Sequence, residues 1–320
     1  MINQKEMALG LGMAAIGRPH YINVRTNTIA KSDVNELKAN GFKVLDAAYN
    51  LGVRYFDTAP GYGLAEDLLI QWLATKNDKS LQVGTKWGYT YTANFDKNAT
   101  VHEVKEHSIS KLKEQWQVSK KLLPFLTTYQ IHSATLETGV LENAEVLNQL
   151  AFLKNEHQIK IGISTTGDNQ VEVIKKALDV HVEGELLFDT FQSTYNILEQ
   201  SILGIRTQLK ENGKQLIVKE ALANGRIFRN KNYPKYDMFY SALESLSNKY
   251  AVSVDAIALQ FCNATIPESM VLSGASTISQ LEENLKVNTF VLSEEDVMLL
   301  KSFSVEPFDY WKERKQLQWN

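Results

Sequence analysis

The sequence predicts a protein of the α/β class, a single-domain (β/α)8 TIM barrel over residues 1–320 with an extra C-terminal helix and tail. About eight short apolar runs typical of strands alternate with about eight amphipathic runs typical of helices. Each unit is at least ~30 residues long, as a βαβ unit requires. The strand-like runs are apolar at successive positions, as in parallel strands buried on both faces. No Pro- or Ser-rich linker interrupts the alternation.

The predicted elements follow one another along the whole chain. Met7 to Ile16 predicts a first strand that runs into a Gly-rich loop, and Tyr21 to Ala30 is expected to be an irregular approach to the first helix. Thr100 is a candidate N-cap. Further strands are predicted at 53–57, 81–85, 126–131, 159–164, 188–193, 215–219 and near Met270. Helices are predicted at 31–51, 65–75, 100–117 (with Val101 and Val104 facing inward), 141–156, 168–178, 199–212, 238–250, 254–263 and 279–287, and from about Ser293.

An open, doubly wound sheet would show the same alternation of strands and helices. That architecture usually carries a G-x-G-x-x-G motif after its first strand to bind a dinucleotide. Residues 10–15 read GLGMAA and residues 61–66 read GYGLAE, so neither run completes the motif. A closed barrel is therefore the more economical prediction.

Composition restricts the kind of partner that the chain can have. It has 320 residues, 44% of them hydrophobic, and a formal net charge of −3 without a long charged run, so no nucleic-acid partner is expected. No apolar run approaches the ~18 residues of a membrane span, and no targeting signal is evident, which predicts a cytoplasmic protein. The single cysteine, Cys262, is expected to be a core thiol in a reducing compartment. A small-molecule substrate and a monomer or small homo-oligomer are expected.

Four polar residues follow three consecutive predicted strands. Asp57 and Tyr62 follow the second strand, Lys86 the third and His132 the fourth. In a barrel, the carboxyl ends of the strands form the rim that carries the active site. An ammonium beside a phenol favours the phenolate and lowers a pKa of ~10, so this set of side chains suits proton transfer.

Each of these residues also has a simpler interpretation. An Asp at a strand end commonly caps the next helix, a loop Tyr commonly packs, and a Lys after a strand is commonly solvated. Asp57 and His132 leave a metal-dependent barrel hydrolase as an alternative, with Glu220 as the other candidate ligand. Such a site requires further His or carboxylate ligands, and the other histidines show no metal-binding spacing. No metal site is therefore predicted.

Several motifs between Leu9 and about Asn288 are similar to those of aldo-keto reductases. The most specific is FDTAPGYG at residues 56–63, supported by GTKWG at 84–88 and YQIHS at 129–133. GIST (162–165), FQSTYN (191–196), ALANGR (221–226) and SGASTISQLEEN (273–284) add to the similarity. The resemblance implies a barrel that binds NADPH without a Rossmann domain, and an enzyme that reduces an aldehyde or ketone to an alcohol.

The resemblance also implies how the four polar residues act. Tyr62 would protonate the carbonyl oxygen as nicotinamide C4 delivers hydride, and Lys86, paired with Asp57, would lower the pKa of the phenol. His132 would orient the carbonyl oxygen and share in proton transfer. The same site in reverse would make the protein an NAD(P)-dependent dehydrogenase of an aldose or another alcohol. A non-catalytic, nucleotide-binding regulatory subunit would have lost one of these four residues, and all four are present.

The residues that the resemblance implies in cofactor binding lie at the later strand ends. Ser164 and Gln192 match the positions that hold the carboxamide, Thr165 stands where the family usually has Asn, and Tyr195 is the candidate for stacking on the nicotinamide. The backbone of residues 221–225 is expected to cradle the pyrophosphate. The remaining members of the predicted cofactor site are Gly12, Met13, Ala221, Leu222, Ala223, Gly225, Arg226, Gly274, Ala275, Ser276, Gln280, Glu283 and Asn284.

Between the two nicotinamide cofactors, the resemblance favours NADP(H) over NAD(H). Many family members place Arg or Lys where this chain has Ser276 or Gln280, and that cation pairs with the 2′-phosphate. No cation stands between Gly274 and Asn284, and Glu283 would favour a free ribose hydroxyl. The substrate is left open between a sugar, an aromatic aldehyde and a ketone.

Overall fold

Eight parallel strands close into a barrel in the computed structural model, which describes residues 7–18, 33–96 and 98–319. The order around the barrel is β1-β12-β11-β10-β7-β6-β3-β2. The remaining strands form two small hairpins, β4–β5 and β8–β9. The strands are β1 (Leu9–Gly12), β2 (Tyr55–Asp57), β3 (Gln82–Trp87), β4 (Tyr89–Tyr91), β5 (Glu103–Lys105), β6 (Leu126–Ala134), β7 (Lys160–Thr165), β8 (His181–Val182), β9 (Glu185–Leu186), β10 (Thr190–Thr194), β11 (Gln215–Lys219) and β12 (Met270–Ser273).

The barrel closes between the first strand and the last. Leu11 on β1 lies opposite Phe56 on β2 and opposite Ser273 on β12, in parallel register on both sides. The predicted (β/α)8 barrel is therefore confirmed, and the open sheet is excluded because it would leave two edge strands unpaired.

Helices surround the barrel and cover its outer face. They are α1 (Val34–Asn50), α2 (Ala65–Leu73), α3 (Ile109–Ser119), α4 (Ala144–His157), α5 (Gln170–Leu178), α6 (Arg206–Glu211), α7 (Asp237–Tyr250), α8 (Val254–Thr265), α9 (Ile278–Leu285), α10 (Glu294–Lys301) and α11 (Pro307–Arg314). None of these helices is long and apolar enough to cross a membrane.

Two sets of apolar side chains form the core. The larger set lies between the sheet and the helices, and the thiol of Cys262 is buried there as predicted. A smaller cluster of Tyr55, Ile217 and Leu272 packs separately, inside the barrel. Space there is tight: a Cβ added to Gly84 would lie 2.1 Å from the Tyr55 hydroxyl oxygen. The interior below the rim is thus filled, which leaves the rim for a site.

The predicted helix at 100–117 is wrong in its first half. Residues 103–105 form β5 instead, and α3 starts only after Ser108, whose side chain accepts a hydrogen bond from the Lys111 amide. Val101 and Val104, expected to face inward, are exposed. Ser108 is the better cap because its oxygen satisfies an amide of the first turn, which Thr100 does not.

Smaller differences concern the element ends. The first helix begins after Asp33, whose carboxylate accepts from the Asn35 amide, while the predicted start at Lys31 and the segment 21–30 lie outside the described residues. The predicted helix at 199–212 is a 3-10 segment, Ser201–Ile205, followed by α6. Two helices, α10 and α11, rather than one follow the barrel.

Candidate active site

A buried ion pair forms the floor of the site. Asp57 ends β2 and Lys86 lies near the end of β3, and these strands are neighbours, so the Lys86 ammonium bonds the Asp57 carboxylate. Lys86 also donates to the Thr58 carbonyl oxygen at 3.0 Å. The second carboxylate oxygen of Asp57 accepts from the Gln192 amide at 2.7 Å. Lys86 is fully buried, so this bonding holds its charge in one place.

Tyr62 stands above this pair on a tightly packed turn. Its 3-10 turn, Pro60–Tyr62, docks on the loop after β1, where a Cβ on Gly17 would lie 2.2 Å from the Tyr62 carbonyl oxygen. Arg18 donates to the Gly61 carbonyl oxygen and lies 5.3 Å from the centre of the Tyr62 ring. The Lys86 ammonium is 4.9 Å from the same ring centre. The phenol is thus held beside the ion pair, as the strand-end pattern predicts.

The protonation of Tyr62 differs from the sequence-based expectation. Burial and the negative charge of Asp57 raise the pKa of Tyr62 well above that of an ordinary phenol, while Arg18 opposes them. The predicted lowering of the pKa by Lys86 is not found, because burial and the charge of Asp57 both raise it. Tyr62 therefore carries its proton at neutral pH, which is the form that a general acid needs.

His132 completes the group on β6. Its ring centre lies 5.4 Å from that of Tyr62 and 4.7 Å from that of Tyr89. Burial and the charge of Lys86 lower the pKa of His132 well below its ordinary value, so its imidazole is neutral. The Nε2 atom of His107 lies 2.9 Å from the His132 carbonyl oxygen, so the segment after β5 holds the backbone of His132.

An open cavity of about 210 Å³ extends from Tyr62 and Asp57 along the β11 and β12 side of the rim. Backbone-rich loops form much of its wall, and a Cβ on Gly274 would contact nothing within 4 Å. Predicted site residues that line it are Gly12, Met13, Asp57, Tyr62, Gln192, Ala221, Leu222, Gly225, Gly274, Ala275, Gln280 and Asn284. Residues from five strand ends therefore meet at one cavity.

Tyr195 and Arg226 are placed away from this cavity. Tyr195 is fully buried behind the barrel, where its ring stacks on Phe261 and its hydroxyl bonds Thr265 at 2.8 Å. The interpretation of Tyr195 as the stacking residue is therefore wrong, because its ring belongs to the core. Arg226 is also fully buried, and its guanidinium bonds Glu313 at 3.1 Å.

Other predicted cofactor residues are engaged elsewhere. The Ser164 hydroxyl accepts from the Ser133 amide, and Thr165 bonds Ser193 behind the strand. Ala223 is buried, Ser276 is half-buried, and Glu283 pairs with Lys286 on the surface. These positions support the rim, but their side chains do not line the cavity among the described residues.

The cavity also contains charged residues outside the predicted catalytic and cofactor sets. Lys219, Glu220 and Asp255 line it. Glu220 is held by Arg314 from α11, and Asp255 accepts from the Asn284 amide. The one signal in the sequence is that two charges, Lys219 and Glu220, end an apolar strand. Within the described part of the chain, no group of three or more His, Cys, Asp or Glu residues is arranged to hold a metal.

Comparison with known proteins identifies the family. Residues 8–305 match the sequence model of the aldo/keto reductase family. This chain belongs to the aldo/keto reductase family. Aldo/keto reductases are NAD(P)-dependent oxidoreductases, so this barrel is a nicotinamide-dependent enzyme and binds a small-molecule substrate.

Named relatives are distant in sequence but extend over most of the chain. L-galactose dehydrogenase of Arabidopsis thaliana is 29% identical over 76% of this chain and 76% of its own length. The NADH-specific methylglyoxal reductase of Escherichia coli is 24% identical over 80% of this chain and 85% of its own length. These relatives are oxidoreductases.

Solved structures share the fold. An aldo-keto reductase from Bacillus halodurans superposes with a TM-score of 0.69 at 22% identity, covering 94% of this chain and 96% of its own. A glycerol dehydrogenase from Gluconobacter oxydans superposes with a TM-score of 0.70 at 21% identity, covering 94% of this chain and 92% of its own.

Proposed function

We propose that this enzyme reduces an aldehyde or ketone with NAD(P)H, using Tyr62 as the proton donor. The observation that carries the proposal is the cluster of Asp57, Tyr62, Lys86 and His132, in which Lys86 bonds Asp57 and both Lys86 and His132 lie beside the Tyr62 ring, while Asp57 and Tyr62 line the cavity. A regulatory subunit has no need of this arrangement, which joins three neighbouring strands. The carbonyl group of the substrate would therefore sit against Tyr62.

The chemistry of each residue follows from its protonation and position. The nicotinamide, when bound, supplies the hydride. As negative charge develops on the carbonyl oxygen, Tyr62 donates its hydroxyl proton to that oxygen, and a neutral His132 donates an N–H hydrogen bond to it. Lys86 adds positive charge near the phenolate that Tyr62 leaves, and Asp57 keeps Lys86 in position.

The rest of the cavity fits a dinucleotide. The loops after β11 and β12 line it with Ala221, Leu222, Asn224, Gly225, Gly274 and Ala275, and Gln280 and Asn284 of α9 line its far end. Backbone amides and small side chains are what a diphosphate and a ribose require. The reactive ring would lie at the Tyr62 end, and the adenosine would lie near α9.

The choice between NADP(H) and NAD(H) remains a prediction, and one residue bears on it. NADP(H) is the expectation from the family, yet Asp255 places a carboxylate at the α9 end of the cavity. A 2′-phosphate there would meet negative charge, which supports NAD(H). We infer that Asp255→Asn raises the affinity for NADPH relative to NADH, whereas Asp237→Asn, on exposed α7, leaves the ratio unchanged.

Oxidation of an aldose is the second candidate reaction. The similarity to L-galactose dehydrogenase supports it, and the same residues would accept the proton in that direction. Methylglyoxal, the substrate in the name of another relative, is a candidate for the reductive direction. We also keep the proposal of a cytoplasmic location, which is supported by a buried Cys262 that forms no disulfide.

The test is a fluorescence titration of the purified protein with NADPH and with NADH, followed by addition of methylglyoxal and of a panel of aldoses. Binding of either nucleotide and its oxidation by a carbonyl compound are expected. Binding of neither would overturn the proposal. Turnover only of NAD(P)⁺ with an aldose would assign the second candidate instead.

A further inference from the structure

Lys219 places a second ammonium at the reacting end of the cavity. Side chains alternate along a strand, and Ile217 on the same strand packs in the cluster inside the barrel, so Lys219 also points inward. Its Nζ donates to the Thr194 hydroxyl at 3.0 Å. Lys219 lines the cavity together with Asp57 and Tyr62. The lysine therefore stands on the wall that the reactive ring would face.

The charges around Lys219 do not cancel. Glu220 lies 3.9 Å from the Lys219 Nζ, but the same carboxylate is held on both oxygens by Arg314. These three residues carry a formal charge of +1. Across the cavity, Lys86 and Asp57 form a neutral pair, and His132 is a neutral imidazole. The Lys219 ammonium therefore lines the cavity with no carboxylate within hydrogen-bonding distance among the described residues.

We infer that Lys219 makes the site bind reduced nicotinamide cofactor in preference to the oxidised form. The oxidised nicotinamide ring is a cation and the reduced ring is neutral, so an ammonium on the facing wall repels only the oxidised ring. Diphosphate and adenosine are the same in both forms, and their contributions cancel in the ratio of dissociation constants. The inference rests on the proposed function and adds a direction to it: this wall favours carbonyl reduction.

The position of the ring follows from the reaction itself. The proton and the hydride go to the two atoms of one C=O bond, which is ~1.2 Å long. The ring that gives the hydride must therefore lie within a few ångströms of the atom that Tyr62 protonates. Lys219 lines the same cavity as Tyr62, and it is close enough to Asp57, Lys86 and His132 for their charges to interact, so the ring would lie within range of the ammonium.

The ammonium is also sensitive to pH. Burial lowers the pKa of the Lys219 amine to about 8, and Glu220 only partly opposes it. The charged groups that face it are Glu220 beside it, Arg314 on α11, Lys86 on β3 and Asp57 on β2. Because Lys219 loses its charge as the pH rises, the preference for reduced cofactor falls as the pH rises through 8.

The experiment compares the dissociation constants of oxidised and reduced cofactor for wild type, Lys219→Met and Lys219→Arg at pH 7 and pH 9.5. Fluorescence titration gives the reduced form, and displacement gives the oxidised form. At pH 7, Lys219→Met should lower the dissociation constant of the oxidised form, divided by that of the reduced form, about tenfold, or ~1.4 kcal/mol. Lys219→Arg should leave this ratio unchanged. At pH 9.5, the wild-type ratio should fall towards that of Lys219→Met, and the Arg variant, which stays charged, should not change.

An equal ratio in wild type and Lys219→Met at pH 7, with both forms bound, overturns the inference and leaves the proposed function intact. If the Met variant does not fold, the pH dependence of this ratio in wild type and in Lys219→Arg tests the inference instead. A wild-type ratio that stays constant with pH, as in the Arg variant, then overturns it. Binding of neither form by the wild type overturns the proposed function itself.

Discussion

Arg314 holds the carboxylate of Glu220, 94 residues earlier in the chain, with its Nε 2.8 Å from Oε2 and a terminal nitrogen on the other oxygen. Glu220 is buried in the cavity wall and has a left-handed backbone, with φ at 56°. Arg314→Leu would leave this carboxylate without its main partner. We expect a loss of roughly 3 kcal/mol in the free energy of unfolding, measured with urea.

Arg229→Leu is the matched control, because Arg229 also bonds both carboxylate oxygens of its partner, Glu244, but on the exposed surface. This variant should lose less than ~1 kcal/mol in the free energy of unfolding. Burial opposes ionisation of Glu220, but Arg314 and Lys219 outweigh it and lower the pKa to about 2. That stabilisation is present above the unfolded pKa of ~4.3 and disappears as the pH falls towards 2. Equal losses in the two variants would contradict the buried role of Arg314.

Tyr62→Phe should abolish proton donation without removing the ring that lines the cavity. Turnover is expected to fall by ~10²–10⁴-fold, with the dissociation constant of the reduced cofactor nearly unchanged. Tyr250→Phe, which removes a hydroxyl bonded to Asp296 far from the cavity, is the control for loss of a tyrosine hydroxyl. Steady-state kinetics with one carbonyl substrate measure both variants. A Tyr62→Phe enzyme with wild-type turnover would refute the assigned role.

His107→Ala should disturb His132 without touching the substrate. The Nε2 atom of His107 meets the His132 carbonyl oxygen, and Lys105 donates to the next carbonyl oxygen, that of Ser133, at 3.0 Å. Small displacements of a catalytic group cost up to ~10²-fold, so we expect kcat to fall roughly tenfold or more at unchanged cofactor affinity. His181→Ala, at an exposed hairpin, should have no such effect. Equal kcat values in the two variants would exclude this support.

Glu66 predicts a pH dependence of stability. Burial raises the pKa of this carboxyl to about 7, although Ser119 and Thr85 donate to it. A folded pKa above the unfolded one stabilises the protein at low pH, and that contribution decreases as the pH rises from ~4.3 to 7, by at most ~1.4 kcal/mol per pH unit. Glu66→Gln should flatten this decrease in urea unfolding across pH 4.5–8. The exposed Glu211→Gln should reproduce the wild-type slope, and a Glu66→Gln slope equal to it would contradict the prediction.

Local patterns were sufficient for the barrel and for the four residues at its rim. Strands such as β7 and β11 are short, apolar and separated by helical periodicity, so their order and approximate ends follow from the sequence. The helix predicted for residues 100–108 is wrong because the polar and apolar residues of this segment fit a helix as well as a hairpin. Its hairpin conformation is held by contacts of Lys105 and His107 with β6, and those contacts leave no local periodicity.

Which side chains enter the cavity depends on the closed barrel. Tyr195 lies just past the end of β10 and Lys219 lies at the end of β11. The Tyr195 ring nevertheless packs outward on Phe261, whereas the Lys219 side chain points to the rim. A strand pattern shows that neighbouring residues face opposite ways, but not which face becomes the interior. The sequence therefore specifies the fold and the strand ends that carry the proposed proton-transfer residues. The ion pair of Arg314 with Glu220 in the cavity wall forms only when α11 packs on the barrel, because a contact across 94 residues depends on how the helices pack around the strands.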